Sequence, residues 1–230
     1  GSWDTASDVW VIGSPVIVAK GDVGYFASGR TASSPATIIS SVVHRIDYSS
    51  DNTQPLTRGP ITQGRQYPAS IASSNHGYSI GGMTDISDAT QRSTIDRLDF
   101  GNDTETTLVR GPLSQITSAG ATIGNRDYGY YGGGTSHPNG NTSRVSRIDY
   151  SNDTATVIKG SLTITKNGLS ATGNQSYGYI GSGGPGPIST ISRVDYSNDT
   201  PTSVDKGPLS AARKYRAATG NANFGYFGGG

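Results

Sequence analysis

This sequence predicts an all-β repeat protein, and three observations predict it. The first is a phrase that occurs five times: Gly-Tyr, one or two small or apolar residues, then glycines. It reads Gly24-Tyr25-Phe26-Ala27-Ser28-Gly29, Gly77-Tyr78-Ser79-Ile80-Gly81-Gly82, Gly129-Tyr130-Tyr131-Gly132-Gly133-Gly134, Gly178-Tyr179-Ile180-Gly181-Ser182-Gly183-Gly184 and Gly225-Tyr226-Phe227-Gly228-Gly229-Gly230. The second is a strand-like phrase, Arg45-Ile46-Asp47-Tyr48, Arg97-Leu98-Asp99-Phe100, Arg147-Ile148-Asp149-Tyr150 and Arg193-Val194-Asp195-Tyr196, followed by Ser-Asn-Asp-Thr variants. The third is spacing. From the corner phrase (Gly59-Pro60, Gly111-Pro112, Gly160-Ser161, Gly207-Pro208) to the next Gly-Tyr the step is 18 residues each time. A period near 50 residues with strand-like content marks a β-propeller.

Taken in order, each repeat supplies four short strands. After the Gly-Pro corner comes a small-residue strand, such as Leu169-Ser170-Ala171-Thr172 or Arg216-Ala217-Ala218-Thr219. A turn at Gly173-Asn174 or Gly220-Asn221 leads into the Gly-Tyr strand, whose glycines suit close backbone approach. The Arg-x-Asp-Tyr strand is third. Side chains alternate across a strand, so Ile148 and Tyr150 share one face and Arg147 and Asp149 the other. Ser151-Asn152-Asp153-Thr154 is dense in residues that bond their own backbone and reads as a hairpin turn into a fourth strand through Ala155-Thr156-Val157-Ile158. From the Arg to the corner the step is 14, 14, 13 and 14, whereas from Gly-Tyr to the Arg it is 21, 20, 18 and 15. Length variation is therefore confined to one loop per repeat, and loops on a rigid scaffold are where binding resides.

The pattern resembles the kelch-type repeat: a small-residue strand, Gly-Tyr-x-x-Gly-Gly, a variable loop, then an Asp-Tyr strand with a polar turn. Arg65 and Arg213 sit where kelch repeats carry an Arg. The resemblance covers about residues 15–230 and departs at the Trp after the polar turn, where this chain has Thr107, Val157 and Ser203. The wording also resembles repeat proteins of marine tailed phages. It implies a single β-propeller domain over 1–230, with repeats at about 6–58, 59–110, 111–159, 160–206 and 207–230. Five blades are expected, the last atypical and closed by the N-terminal segment, in which Asp8-Val9-Trp10-Val11-Ile12 offers a strand. The alternative is an open or partner-completed array.

Composition narrows the function. The formal net charge is +1, which is no nucleic-acid footprint and no anionic-membrane binder. There is no cysteine, so neither disulfide nor thiolate chemistry is available. No apolar run reaches a membrane span, and the N-terminus does not read as a signal peptide. His44, His76 and His137 lack the spacing of a zinc site. The Asn-Asp-Thr turns offer oxygens to calcium, but a plain hairpin turn accounts for them. Asn102, Asn141, Asn152, Asn174 and Asn198 match the glycosylation sequon. The recurring Arg/Asp pairs read as scaffold, because a catalytic site is not copied into every repeat. Neither a Ser-His-Asp set nor a phosphate loop stands out, so the expectation is a protein that is not an enzyme, with no cofactor and no metal.

What differs between repeats is the loops at 30–44, 83–96, 135–146 and 185–192. Their polar residues Arg30, Asp85, Asp88, Arg92, His137, Asn139, Asn141 and Arg144 are the candidate ligand-binding set. The expected function is a structural or recognition module of a virion appendage, at the virion surface or outside the cell. Its partners would be neighbouring virion proteins, its own copies or a host-surface glycan. The alternatives are a lectin with repeated sugar sites and a kelch-like adaptor for one protein partner.

Overall fold

A computed structural model describes residues 16–18, 22–31, 38–50 and 52–230. The chain is all-β, with no α-helix and two short 3₁₀ turns among those residues. The first sheet is β1 (Val16–Val18), β2 (Val23–Thr31), β3 (Ile38–Asp47) and β4 (Leu56–Arg58). The second is β5 (Ala69–Ala72), β6 (His76–Ile80), β7 (Ile95–Asp99) and β8 (Leu108–Arg110). The third repeat contributes β9 (Ala121–Gly124), β10 (Tyr128–Gly132), a small ribbon β11 (Thr135–Ser136) with β12 (Gly140–Asn141), then β13 (Arg144–Asp149) and β14 (Val157–Ser161). The fourth is β15 (Ser170–Gly173), β16 (Tyr177–Gly181), β17 (Ile191–Asp195) and β18 (Val204–Lys206); β19 (Ala217–Gly220) and β20 (Gly225–Gly228) form a two-stranded fifth sheet. Apart from the ribbon, strands pair with their sequence neighbours, antiparallel throughout.

The predicted strands are therefore in place, in the predicted order. The fourth strand starts later than expected, at Val157 rather than Ala155. The polar turn is longer because it leaves its own sheet: the Gly111 N–H donates to the Asp153 carbonyl (2.9 Å) and the Thr156 N–H to Pro112 (3.0 Å). The proposed closing strand at 8–12 lies outside the described residues, as do residues 32–37 of the first loop.

The core sits between sheets. One cluster joins Tyr25, Ala27 and Val43 to Ala72 and Leu98, a second joins Ile71, Tyr78 and Ile80 to Tyr131 and Ile148, and a third joins Ile123 and Tyr130 to Ile180, Val194 and Tyr196. At each junction the tyrosine of the Gly-Tyr strand stacks on the aromatic of the next repeat's Asp-Tyr phrase. Tyr25 lies on Phe100 (5.2 Å between centroids), Tyr78 on Tyr150 (5.2 Å) and Tyr130 on Tyr196 (5.1 Å). Such pairs contribute about 1 kcal/mol beyond the area they bury.

A carboxylate locks each stack. The Tyr25 hydroxyl donates to Asp103 (2.7 Å), Tyr78 to Asp153 (2.8 Å) and Tyr130 to Asp199 (3.0 Å). The same aspartates pair with Arg45 and Arg58, Arg97 and Arg110, and Arg147 and Lys159. The alternation predicted for Arg147-Ile148-Asp149-Tyr150 holds, with Tyr150 turned to the preceding sheet and Arg147 to the following one. The ion pair is not within the phrase, however; it crosses to the next repeat's Asn-Asp-Thr turn. Asp149 instead accepts from the amide and hydroxyl of Ser151, which hold its carboxyl below the usual range.

A second lock is backbone. The N–H groups of Gly29, Gly82, Gly134 and Gly183 donate to the carbonyls of Arg65, Thr117, Lys166 and Arg213 in the next repeat, at 2.8–3.1 Å. These glycines have φ of 130°, 95°, 98° and 111°, a region that side chains rarely enter.

Buried cations occupy one position of the corner segment. Arg65 (0% exposed) pairs with Asp96 (1%), and Lys166 (0%) donates to the Ile180 carbonyl and the Ser192 hydroxyl, both at 3.2 Å. Burial pushes the Lys166 amine down to about 8, and the charge of Asp205 opposes this only in part. The unfolded lysine titrates near 10.5, so the unfolded chain holds the extra proton between about pH 8 and 10.5. Stability rises with pH across that window and is lost as pH falls through about 8. Roughly 2 kcal/mol of the rise should be in place by about pH 9.5. Urea unfolding at about pH 7 and 9.5 checks it: Lys166→Met should abolish the difference, and an unchanged rise would assign it elsewhere. Above about pH 10 the sign reverses. Burial lifts Tyr25, which also faces Asp103, and Tyr131 to about 12, so stability present below their unfolded value is lost as pH climbs toward 12.

Candidate binding face

Four equivalent residues, one from each of repeats two to five, come together where the inner strands begin. Tyr67, Ala119, Gly168 and Tyr215 all have positive φ, between 53° and 61°. Their main chains join in series: the Ala119 N–H donates to Tyr67 (3.1 Å), Gly168 to Ala119 (2.8 Å) and Tyr215 to Gly168 (3.0 Å). With the residue that follows each, they line one cavity of about 370 Å³, its contributors being Tyr67 and Pro68, Ala119 and Gly120, Gly168 and Leu169, and Tyr215 and Arg216. The same position of four successive repeats thus lines one cavity.

The small residues of the third and fourth repeats form its floor, and the two tyrosines form its rim. Tyr67 is 43% and Tyr215 65% exposed, with centroids 6.5 Å apart and planes tilted by 30°. Beside them Arg216 is buried along its stem and donates to the Ala211 carbonyl (2.9 Å). Two partly exposed rings beside an apolar floor and a cation can hold a sugar ring or another flat, hydroxyl-bearing group.

The second, third and fourth variable loops are tied to residues beside this cavity by the bridges Gln66–Met83, Ser118–Thr135, Asn167–Gly184 and Ile188–Arg213. Many of their polar groups fasten one repeat to the next. The His137 N–H donates to the Gln91 side chain (2.7 Å), whose amide donates to Ser118 (3.1 Å). Asn141 accepts from Thr135 (3.1 Å) and donates to the Gly184 carbonyl (3.4 Å). Arg92 donates to the Gln91 carbonyl and Arg144 to the Ser114 hydroxyl. Asp85 caps its own loop through the Ile86 N–H, and Asp88 opens a 3₁₀ turn. Arg30 lies on β2, exposed, and the side chains of His137 and Asn139 are exposed on the ribbon.

No protein-family model matches the chain, and no curated protein matches it.

The structure thus brings Gln91, next to Arg92, against His137, and Asn141 against Thr135 and Gly184, as fasteners between neighbouring loops. Sequence reasoning passed over Tyr67 and Tyr215. A signal for them was present: Arg65-Gln66-Tyr67 and Arg213-Lys214-Tyr215 stand at the same distance from their corner glycines, and the third and fourth repeats have no aromatic there. Among the described residues no three His, Asp or Glu side chains converge as a metal cluster, and no helix is long and apolar enough to cross a membrane.

Proposed function

We propose that this chain is a non-catalytic β-propeller module that recognises its target through the axial mouth and loop face, as a component of a virion appendage. The observation that carries the reading is the division of labour among polar groups. Carboxylates and cations repeated from sheet to sheet are spent on inter-sheet locks. Groups that differ between repeats, above all Tyr67, Tyr215, Arg216 and the loop side chains, gather on one face.

Radial arrangement is supported by the shared axial cavity and its series of hydrogen bonds. Closure is supported by two unpaired ends: Tyr48 (52% exposed) and Tyr226 (59%) hold the positions that stack at three other junctions. Sheet five meeting sheet one would bury both; particle images showing an open arc would refute closure.

The resemblance to phage repeat proteins favours a host-surface glycan or a neighbouring virion protein as target. The tyrosines of the first three Gly-Tyr strands are buried under the next repeat, so a sugar has no access to them. Tyr67 and Tyr215 are the open pair. A glycan array with the full chain tests the reading. A bound glycan should lose roughly fivefold or more in affinity with Tyr67→Ala or Tyr215→Ala, since each stacking ring contributes about 1 kcal/mol or more. Replacing loops 83–96 and 135–146 by short Gly-Ser links should also abolish recognition. Binding indifferent to all of these would place recognition on another face.

A further inference from the structure

The third repeat departs from the others in its outer half, and a polar groove lies there. Its Arg-to-corner step is 13 residues where the others have 14. The pairing of β13 with β14 shifts register between Arg144 and Ser146, which sets Arg144 opposite Ser161. A bulge of this kind re-aims the side chains beside it. β14 also runs through the corner as far as Ser161, where the other corners have Pro60, Pro112 and Pro208. Residues directly opposite in an antiparallel pair project on the same face, so Arg144 and Ser161 stand side by side.

The groove has a volume of about 430 Å³ and lies at the junction of the third and fourth sheets, where the lock of Arg147 and Lys159 on Asp199 is in place. Ser161, Thr200 and Thr202 line it, with the cations Arg144 and Lys159 and with Ile158, which is 53% exposed. The Ser161 and Thr202 hydroxyls bond each other at 3.2 Å across the two repeats. Arg147 and Lys159 share the single carboxylate of Asp199, at 2.8 and 3.3 Å. Arg144 meets no carboxylate among the described residues, and its guanidinium donates only a long bond (3.5 Å) to the Ser114 hydroxyl. The groove therefore carries a surplus of positive charge and a guanidinium fork that the fold leaves largely unused.

We propose that this groove is a binding site for an acidic sugar residue, a hydroxylated ring bearing a carboxylate or a sulfate. The Arg144 fork matches a pair of anionic oxygens. Hydroxyls that both donate and accept complement those of a sugar, which do the same. Ile158 offers the apolar surface against which the C–H face of the ring can rest. Among the described residues no aromatic lines the groove, so a neutral sugar finds no ring to stack on and charge sets the selectivity. The volume lies in the range of small-ligand sites. The site occurs once: the positions equivalent to Arg144 are Val42, Thr94 and Thr190. It shares no lining residue with the cavity bordered by Tyr67 and Tyr215, and so stands independently of the function proposed for that cavity.

The probes are three tetrasaccharides titrated calorimetrically into the full chain at low ionic strength: hyaluronan, which carries carboxylates, chondroitin sulfate, which carries carboxylates and sulfates, and neutral N-acetylchitotetraose. Saturable binding of one acidic chain per protein is expected. Binding of both acidic probes would identify the carboxylate as the anchor, and binding of the sulfated one alone the sulfate. The neutral probe should bind roughly tenfold or more weakly, and Arg144→Gln should remove that advantage. Arg144 is half-exposed and in no ion pair, so the variant should melt with the parent. Arg126→Gln removes the same charge from an exposed turn and should leave binding unchanged. Failure of both acidic probes to bind, unsaturable binding, equal binding of the neutral probe, or indifference to Arg144→Gln would overturn the site. Binding lost with Tyr67→Ala but kept with Arg144→Gln would assign the acidic sugar to the mouth and overturn it too.

Discussion

Asp96→Ala should lower stability by about 4 kcal/mol, the loss expected when one partner of a buried ion pair is removed. Arg65 has no exposed surface, and Asp96 is the carboxylate it meets. Asp96 also accepts from the Thr62 amide (3.1 Å) and from the hydroxyls of Thr62 (2.5 Å) and Thr107 (3.0 Å). Truncation leaves the Arg65 guanidinium and the Thr107 hydroxyl buried without this acceptor. In a chain of this size that corresponds to a melting temperature lower by roughly 10 °C. The fourth repeat provides the control, because Lys166 and Ser192 occupy the same two positions there. Arg65→Lys with Asp96→Ser copies that arrangement and should recover most of the loss. A single variant that melts within about 2 °C of the parent would show that the pair is not buried as described.

Asp153→Asn should cost about 3 kcal/mol and also change the shape of the transition. Asp153 holds Tyr78, Arg97 and Arg110 of the second sheet from a turn of the third. An asparagine keeps one acceptor but leaves two cations without a counter-charge. Stability in a repeat array is a sum of unit terms and nearest-neighbour junction terms. Weakening one junction therefore loosens the coupling between the second and third sheets, and calorimetry should show a broader, less cooperative transition. Asp149→Asn is the matched control. Its carboxylate is on the surface, engaged with Ser151, and its loss should cost no more than about 1 kcal/mol. Equal effects from the two variants would refute the inter-sheet role of Asp153.

The all-β class, the four-stranded repeat and the order of strands were legible because they rest on local rules. Alternation sets the faces of Arg147-Ile148-Asp149-Tyr150, turn formers mark Ser151-Asn152-Asp153-Thr154, and fixed spacing marks what is packed. The partners of those residues were not legible. Arg147 and Asp149 stand two apart and look like a pair, yet Arg147 reaches Asp199, 52 positions on. The turn that looked like a surface hairpin, or a cation loop, proved to be the key that enters the neighbouring sheet.

The same limit applies to the binding face. Loop residues such as Asn141 and Arg92 were found because loops vary, but sequence could not tell a free side chain from one fastening a neighbour. Tyr67 and Tyr215 lie far apart in the chain and meet only because equivalent positions of successive repeats line one cavity. The amino-acid sequence by itself determined the unit, since a strand's faces and turns depend on residues a few positions apart. The tertiary structure alone decided which units lock together and which side chains share the mouth, because those depend on how one sheet packs against the next.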